Sequence, residues 1–542
     1  MVGSKDRGPS GRARVRLIVF SITADWQQLC AALRAEGEDE EICAVTPHLL
    51  FPSERERLAR EDPRVRVFRT FHDLLEREDM ERCDAEADRR LLERRAGREG
   101  RVEEYYAEIM RLKNECAVRR LVAEFEVTGG ALVSGDLGIA PDVWRELGLA
   151  DWRRPEVLPR ASFWRKLRKF FFDPVRIHYL ECKEERWLLI GRPDRVAQYL
   201  DWSAVTLTPM GLGWEWWFSL QMKAVLKLRL PAAAIRPVLR LVNAPWAMSN
   251  RAVTRAAATV HEDHTGVARL AEGLGLEYLN LQDSFLPSYY PSRYLLYRPA
   301  VRRFLVWDNF SRGIFDRHGL ASSRWEGFRE WTLPKIRDLG PGPLRRVLYL
   351  SSGAGDWTAL KNRSDEDLAL SWLTDAARAR PGVEFRYRPH PLWLHREHQG
   401  LNSIDRVVEL VEQIGLRNLF VSQGARTDGR NFSLSGNLSS VSSSMDEDIA
   451  WAELVLGEHS QTMLVAAEQG KTIAGVNVSK HPSYFSDYAG VEFPLVSSAE
   501  DLVALVDTMS WPEKCAAFLQ SYNAAIERHN RENAAAPEPE RE

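Results

Sequence analysis

Residues 454–476 read LVLGEHSQTMLVAAEQGKTIAGV. Three apolar residues stop at Gly457, and small polar residues then open a helical pattern with Ser460 as a natural N-cap. Gly470-Lys471 ends that helix, and Thr472-Ile-Ala-Gly-Val476 returns to strand character. Strand, tight turn, helix, glycine stop and strand make one βαβ unit of a parallel sheet.

The same rhythm extends upstream. Arg346-Val-Leu-Tyr-Leu-Ser-Ser352 reads as a strand ending in small residues, 364–379 as a helix, and Val383–Arg388 as a strand. A helix at 403–414, a strand at 418–422, a Ser/Gly/Asn-rich loop at 423–444 and a helix at 445–452 complete the unit. It spans 344–530, beyond the Gly/Pro break Asp338-Leu-Gly-Pro-Gly-Pro343.

Before that break lies a second alternating region, 14–337. Strands are expected at 15–22, 42–46, 65–68, 131–136, 186–190, 276–282 and 303–308, and a helix at 251–273. A charged stretch over about 72–127, with Tyr106, Ile109, Met110, Val118, Leu121 and Val122 at helical spacing, reads as a helical insertion. The expected fold is therefore α/β, with two Rossmann-like domains facing a cleft. Residues 1–13 and 534–542 are expected to be disordered, the latter from its Ala, Pro and Glu content.

The composition supports a multidomain globular chain of 542 residues. With 74 Lys plus Arg against 77 Asp plus Glu, the net charge of -3 argues against a nucleic-acid partner. Six cysteines without CxxC spacing read as packing residues of a reducing compartment, and no metal site is expected. Lacking an apolar run long enough to span a bilayer, the chain is expected in the cytoplasm, where it could sit at the inner face of the membrane. Trp is the outlier, at 18 residues.

Ligands of open parallel sheets bind outside the carboxyl ends of the strands. In the second region those positions hold Ser351-Ser352-Gly353, then Arg388-Pro-His390-Pro391, then Gly457-Glu458-His-Ser460-Gln-Thr462 with Glu468 further on. Small residues let backbone N–H groups approach an anion, and arginine pairs with phosphate oxygens. Each segment also reads as ordinary turn or cap chemistry.

This set resembles the C-terminal domain of GT-B glycosyltransferases. It is similar above all to the group that builds bacterial surface polysaccharide: capsule Kdo transferases, bacterial sialyltransferases and polyol-phosphate transferases. The resemblance covers roughly 345–510 and implies a metal-independent enzyme without a cofactor, using a CMP- or UDP-linked sugar donor. It implies that His390 touches the donor phosphate and is catalytic, that Ser460 and Thr462 grip the nucleotide phosphate, and that Glu468 holds a ribose hydroxyl. Ser351, Ser352, Gly353, Arg388, Pro391, Gly457 and Glu458 complete the implied donor site.

In the first region, Gln282-Asp283-Ser284-Phe-Leu286 looks similar to the Glu-Asp-Gly-Phe-Leu form of capsule Kdo transferases, with Gln for the first acid and Ser for Gly. Asp283 is then the implied base, with Gln282, Trp307 and Asp308 on the acceptor side. A turn-capping Asp is the alternative reading. The basic-aromatic run Phe163, Trp164, Arg165, Lys166, Arg168, Lys169, Phe170, Phe171 and Phe172 suits an anionic membrane surface or a packed helix with a solvated cationic face. A glycan or lipid-linked acceptor follows. The competing functions are a sugar-nucleotide epimerase of the same shape and a non-catalytic scaffold in envelope-glycan assembly.

Overall fold

The computed structural model describes residues 12–20, 40–46, 52–70, 74–94, 102–133, 177–209, 253–282, 303–329, 344–351, 363–389, 415–423, 440–476 and 493–534. Within these ranges 192–195, 198, 260–263, 318, 458–461 and 509 are left out, and 217, 220 and 486 are described singly. The described residues are α/β and form three sheets.

The first sheet has the order β3-β2-β1-β4 and is wholly parallel. Its strands are β1 (Arg14–Phe20), β2 (Ile42–Thr46), β3 (Val65–Thr70) and β4 (Glu126–Val133). Helices Arg77–Arg94 and Val102–Glu124 pack together and supply Met80, Ala117, Val118 and Leu121 to its core. Those helices are the charged stretch, and they cover this sheet rather than interrupting a larger one.

The second sheet holds β5 (Ile177–Cys182), β6 (Glu185–Ile190), β7 (Val205–Pro209), β8 (Val253–Thr259), β9 (Glu277–Leu281), β10 (Arg303–Val306) and β11 (Ser322–Arg324), in the order β11-β10-β9-β8-β6-β5-β7. Only β5 runs against its neighbours. The described residues of 14–337 thus build two sheets where the sequence suggested one.

One element was misread by propensity. Residues 253–259 form a central strand, not the start of a helix. Alanine is the best helix former, so Ala256-Ala-Ala258 favours a helix locally. Tertiary packing overrides it: β8 lies between β6 and β9, and Ala256 and Ala257 are fully buried. Arg255 bridges both neighbours, 2.7 Å from Glu185 and 3.1 Å from Glu277.

The third sheet is parallel throughout, in the order β15-β14-β13-β12-β16-β17-β18. It comprises β12 (Arg346–Leu350), β13 (Glu384–Arg388), β14 (Leu419–Gln423), β15 (Ser440–Ser442), β16 (Leu454–Gly457), β17 (Thr472–Val476) and β18 (Leu495–Val496). Short β15 lies inside the stretch expected to be loop. Side chains alternate across β12: Val347 and Tyr349 face one apolar cluster, Leu348 and Leu350 the other.

That second cluster joins the two larger sheets. It runs from Leu189 and Trp307 of the second sheet's unit, through Phe518 and Tyr522 of helix Ser510–Ala534, to Leu350 and Val455. Helix Ser510–Ala534 leans on β17 and also on helix Asn309–Arg317 of the neighbouring unit. Among the described residues, no helix is long and apolar enough to cross a membrane. Of the segments expected to be free, 1–11 and 535–542 lie outside the described residues, whereas Arg12 donates to the Val122 carbonyl at 3.2 Å.

Candidate functional site

In the third sheet the chain proceeds outward from β12 on one side and from β16 on the other. Their carboxyl ends flank the crevice where strand order reverses, which is where open α/β sheets take ligands. In register, Leu350 lies beside both Arg388 and Gly457. Ser351 follows, buried, with its N–H donating to the Arg388 carbonyl at 3.0 Å. Ser351, Arg388 and Gly457 therefore end three adjacent strands. A Cβ on Gly457 would stand 2.9 Å from Met463 Sδ, so glycine lets helix Thr462–Glu468 close onto the strand end.

The Arg388 side chain is committed elsewhere than to an open site. On β13, Phe385 and Tyr387 enter the core on one face, which puts Arg386 and Arg388 together on the other. Asp448, fully buried on helix Met445–Trp451, meets both. Arg386 Nη1 donates to Asp448 Oδ1 at 2.6 Å, and Arg388 Nη1 donates to Oδ2. Ser443 donates to Oδ1 at 2.6 Å and Ser422 to Oδ2. Arg386 also stacks 3.8 Å above Trp451. Burial pushes the Asp448 carboxyl up, but the bonds from Ser422, Ser443, Arg386 and Arg388 win and hold it below the usual carboxylate range. Asp448 is thus the counter-ion of buried Arg386 and partly buried Arg388.

A cleft of about 710 Å³ opens between the second and third sheets' units. Asp201, Trp202 and Arg329 line one wall, and Asp446, Thr462 and Glu468 the other. Arg329 Nη2 stands 3.6 Å from Glu468 Oε2 across it. Burial pushes the Glu468 carboxyl above its ordinary value, and Arg329 offsets only part of that. Trp202 is 56% exposed although it is an indole, and the Asp201 carboxylate is kept in place by the Ser203 hydroxyl at 2.6 Å and amide at 3.0 Å. Hydrogen bonds from Ser203 lower the Asp201 pKa. Sequence reasoning missed Trp202 and Arg329. The available signal was a tryptophan in the polar turn Asp201-Trp-Ser203, outside any apolar periodicity.

The expected acceptor-side residues are core instead. Gln282 is buried, donates from Nε2 to Ser311 at 3.0 Å, and accepts the Trp307 amide at 3.0 Å through Oε1. Trp307 points inward: its indole N–H donates to the Gln282 carbonyl at 2.8 Å, and its ring lies 4.2 Å from that of Tyr199. Asp308 accepts the Ser311 amide at 2.7 Å and caps helix Asn309–Arg317. Each side chain thus satisfies the strand-to-helix turn, and none of the three faces the cleft.

Asp283, Ser352, Gly353, His390, Pro391, Glu458 and Ser460 lie outside the described residues, as does the Phe163–Phe172 run. Trp217 is exposed. Among the described residues no group of three or more His, Cys, Asp or Glu is placed to hold a metal ion.

No family model matches the chain, and no curated protein matches it. Three solved structures illustrate what it is similar to. HepE from Anabaena in complex with UDP is 12% identical, over 54% of this chain and 80% of that one, with a TM-score of 0.33. A putative UDP-N-acetylglucosamine 2-epimerase from Listeria monocytogenes is 8% identical over 98% of both chains, with a TM-score of 0.32. TarM from S. aureus, in complex with fondaparinux, α-GlcNAc-glycerol and UDP, is 8% identical over 96% of this chain and 98% of that one, with a TM-score of 0.31. The fold rests on the sheet topology.

Proposed function

We propose that the protein is a glycosyltransferase that moves a sugar from a nucleotide-activated donor to a glycan or lipid-linked acceptor. The observation that carries this reading is the inter-unit cleft, with Glu468 and Thr462 on the wall next to the β12–β16 reversal and an exposed Trp202 on the opposing wall. Carboxylates accept hydroxyl protons, and an open indole suits the apolar face of a pyranose.

In this reading the nucleotide lies against the third sheet's unit. Glu468 accepts a ribose hydroxyl, while Thr462, with Ser460, holds the phosphate. Ser351, Ser352, Gly353, Gly457, Glu458 and Pro391 shape the strand-end crevice. Arg388 acts through charge rather than contact: with Arg386 it outweighs the single charge of Asp448 and leaves a net positive charge beside the strand ends. Together with His390, that field stabilises the phosphate charge that grows as the nucleotide leaves. Asp283 takes the proton of the acceptor hydroxyl as it attacks the anomeric carbon. Trp202 and Asp201 orient the acceptor.

Gln282 bears on the scaffold alternative. Its amide both donates and accepts inside the core, so packing accounts for the absence of an acid there. A degenerate motif therefore does not by itself favour a non-catalytic protein. The surface-polysaccharide role, the membrane contact through residues 163–172 and the choice between CMP- and UDP-linked donors belong to this proposal. Binding to anionic liposomes in low salt tests the membrane contact, and its absence refutes it. Incubation with donor alone distinguishes transfer from epimerisation: an isomerised donor supports the epimerase. Replacing His390 by Ala should cut transfer strongly with the fold intact, and unchanged turnover would refute its role.

A further inference from the structure

Two cysteines on the helices of the first unit differ from the other described ones. Cys43, Cys182 and Cys515 are buried singly, and burial pushes their thiols up, Cys43 to about 12 and Cys515 to about 11. Cys83 and Cys116 instead face each other from the packed helices Arg77–Arg94 and Val102–Glu124 and hydrogen-bond together. The Cys83 thiol is buried, and Cys116 is partly exposed.

Arg82 Nη2 also stands 3.5 Å from Cys116 Sγ. It is held there by Asp79 at 2.5 Å, and Asp79 is shared with Arg120 at 2.6 Å. Behind Cys83, Lys113 and Asp84 pair at 3.2 Å. The Cys116 sulfur thus receives the Cys83 S–H and a guanidinium N–H, and these outweigh burial and Asp79 to lower its pKa to about 7. The Cys83 thiol moves the opposite way, raised first by that bond and then by burial. An attacking thiolate that is partly exposed beside a cation, with a second thiol in contact, is the arrangement that reacts.

We propose that Cys83 and Cys116 form a peroxide-oxidisable pair, a modification site in which Cys116 attacks and Cys83 resolves. The Cys116 thiolate attacks one oxygen of a hydroperoxide. The O–O bond breaks, an S–O bond forms, and the departing alkoxide or hydroxide takes a proton from water. Cys83 sulfur then attacks the Cys116 sulfenic sulfur. An S–S bond forms, the S–O bond breaks, and the expelled hydroxide leaves as water with the Cys83 proton. Two thiols lose two electrons, and one peroxide becomes an alcohol or water plus a water. The disulfide ties two helices that cover the first sheet, so it rigidifies that unit without touching the cleft.

The site is independent of the proposed transferase activity. Its test uses the reduced full-length chain, a few equivalents of hydrogen peroxide, and peptide mass spectrometry after alkylation. A Cys83–Cys116 linked peptide, reversed by dithiothreitol, is expected. Before oxidation, Cys116 should alkylate at neutral pH about tenfold faster than Cys43, Cys182 or Cys515, from its larger thiolate fraction. Cys83→Ser should form no link and leave a dimedone-trappable sulfenic acid on Cys116. Recovery of both cysteines unlinked after peroxide, in wild-type protein, overturns the proposal. So does alkylation of Cys116 at the rate of Cys43.

Discussion

Two carboxylates, Asp448 and Glu468, sit on helices of the same unit, and each meets arginine, yet their surroundings differ. Asp448 is sealed and saturated by two arginines and two serine hydroxyls. Glu468 faces one arginine at 3.6 Å across an open cleft and carries a raised pKa. A buried charge whose hydrogen-bonding capacity is filled from its own unit belongs to the architecture. A half-buried charge with spare capacity, turned toward another unit, is available to a ligand. The contrast separates Arg388, which the motif suggested for phosphate contact, from Glu468.

The largest effect should come from breaking the saturated pair. Asp448→Ala strands Arg386 and Arg388 in the interior, and chemical denaturation should show a loss of about 3–5 kcal/mol. An unchanged midpoint would place Asp448 among ordinary first-turn acids.

Next comes Gln282→Glu, which trades a bonded buried amide for a carboxylate. The expected loss is about 1–3 kcal/mol, since the Ser311 bond loses its Nε2 donor and a charge enters the core. Full stability with improved transfer would restore Gln282 to the acceptor side.

Smaller again is Trp202→Ala. The indole is exposed, so stability should change by no more than about 0.5 kcal/mol. Acceptor KM should instead rise about fivefold with kcat little changed, the pattern of lost uniform binding. Equal kinetics would remove Trp202 from the site.

Acid titration sharpens the comparison because the two signs are opposite. Asp448 has a depressed folded pKa, so its stabilisation is present above the unfolded carboxyl value and is lost as pH falls through the folded one. Glu468 has a raised folded pKa, so its relative stabilisation is present below the unfolded value and is lost as pH rises through the folded one. Subtracting the stability profile of Glu468→Gln from wild type should give a difference that falls with rising pH just above the ordinary glutamate range. The Asp448→Asn difference should rise with pH below the ordinary aspartate range. Slopes of the same sign would contradict the assignments.

Much of the third sheet was legible because its strands and helices alternate at strong, short periods. The strand ends at Ser351, Arg388 and Gly457 could be placed from that alone. The Asp448 pairing could not, since 60 residues separate it from Arg388 and each looks solvated in its local pattern. One hint was present: the alternation Glu384-Phe-Arg-Tyr-Arg388 in a doubly covered sheet requires a counter-charge for two arginines on one face. The β8 alanines misled because propensity is local, whereas the pairing of β8 with β6 and β9 and its burial are not. Likewise, the split of 14–337 into two sheets depends on which strands pair, which periodicity does not encode. Trp307 was drawn to the cleft by its position at a strand end, but its indole N–H reaches back to Gln282.

The central claim is that the cleft beside Glu468 takes a nucleotide. Its most direct test is the melting temperature of wild-type protein and of Glu468→Gln with CMP, UDP, GDP and CDP at increasing concentration. One nucleotide should raise the wild-type melting temperature in a saturable way, and the variant should lose most of that shift while keeping its ligand-free stability, because a ligand that binds only the native state must stabilise it. No shift with any of the four, or an equal shift in both proteins, would contradict it.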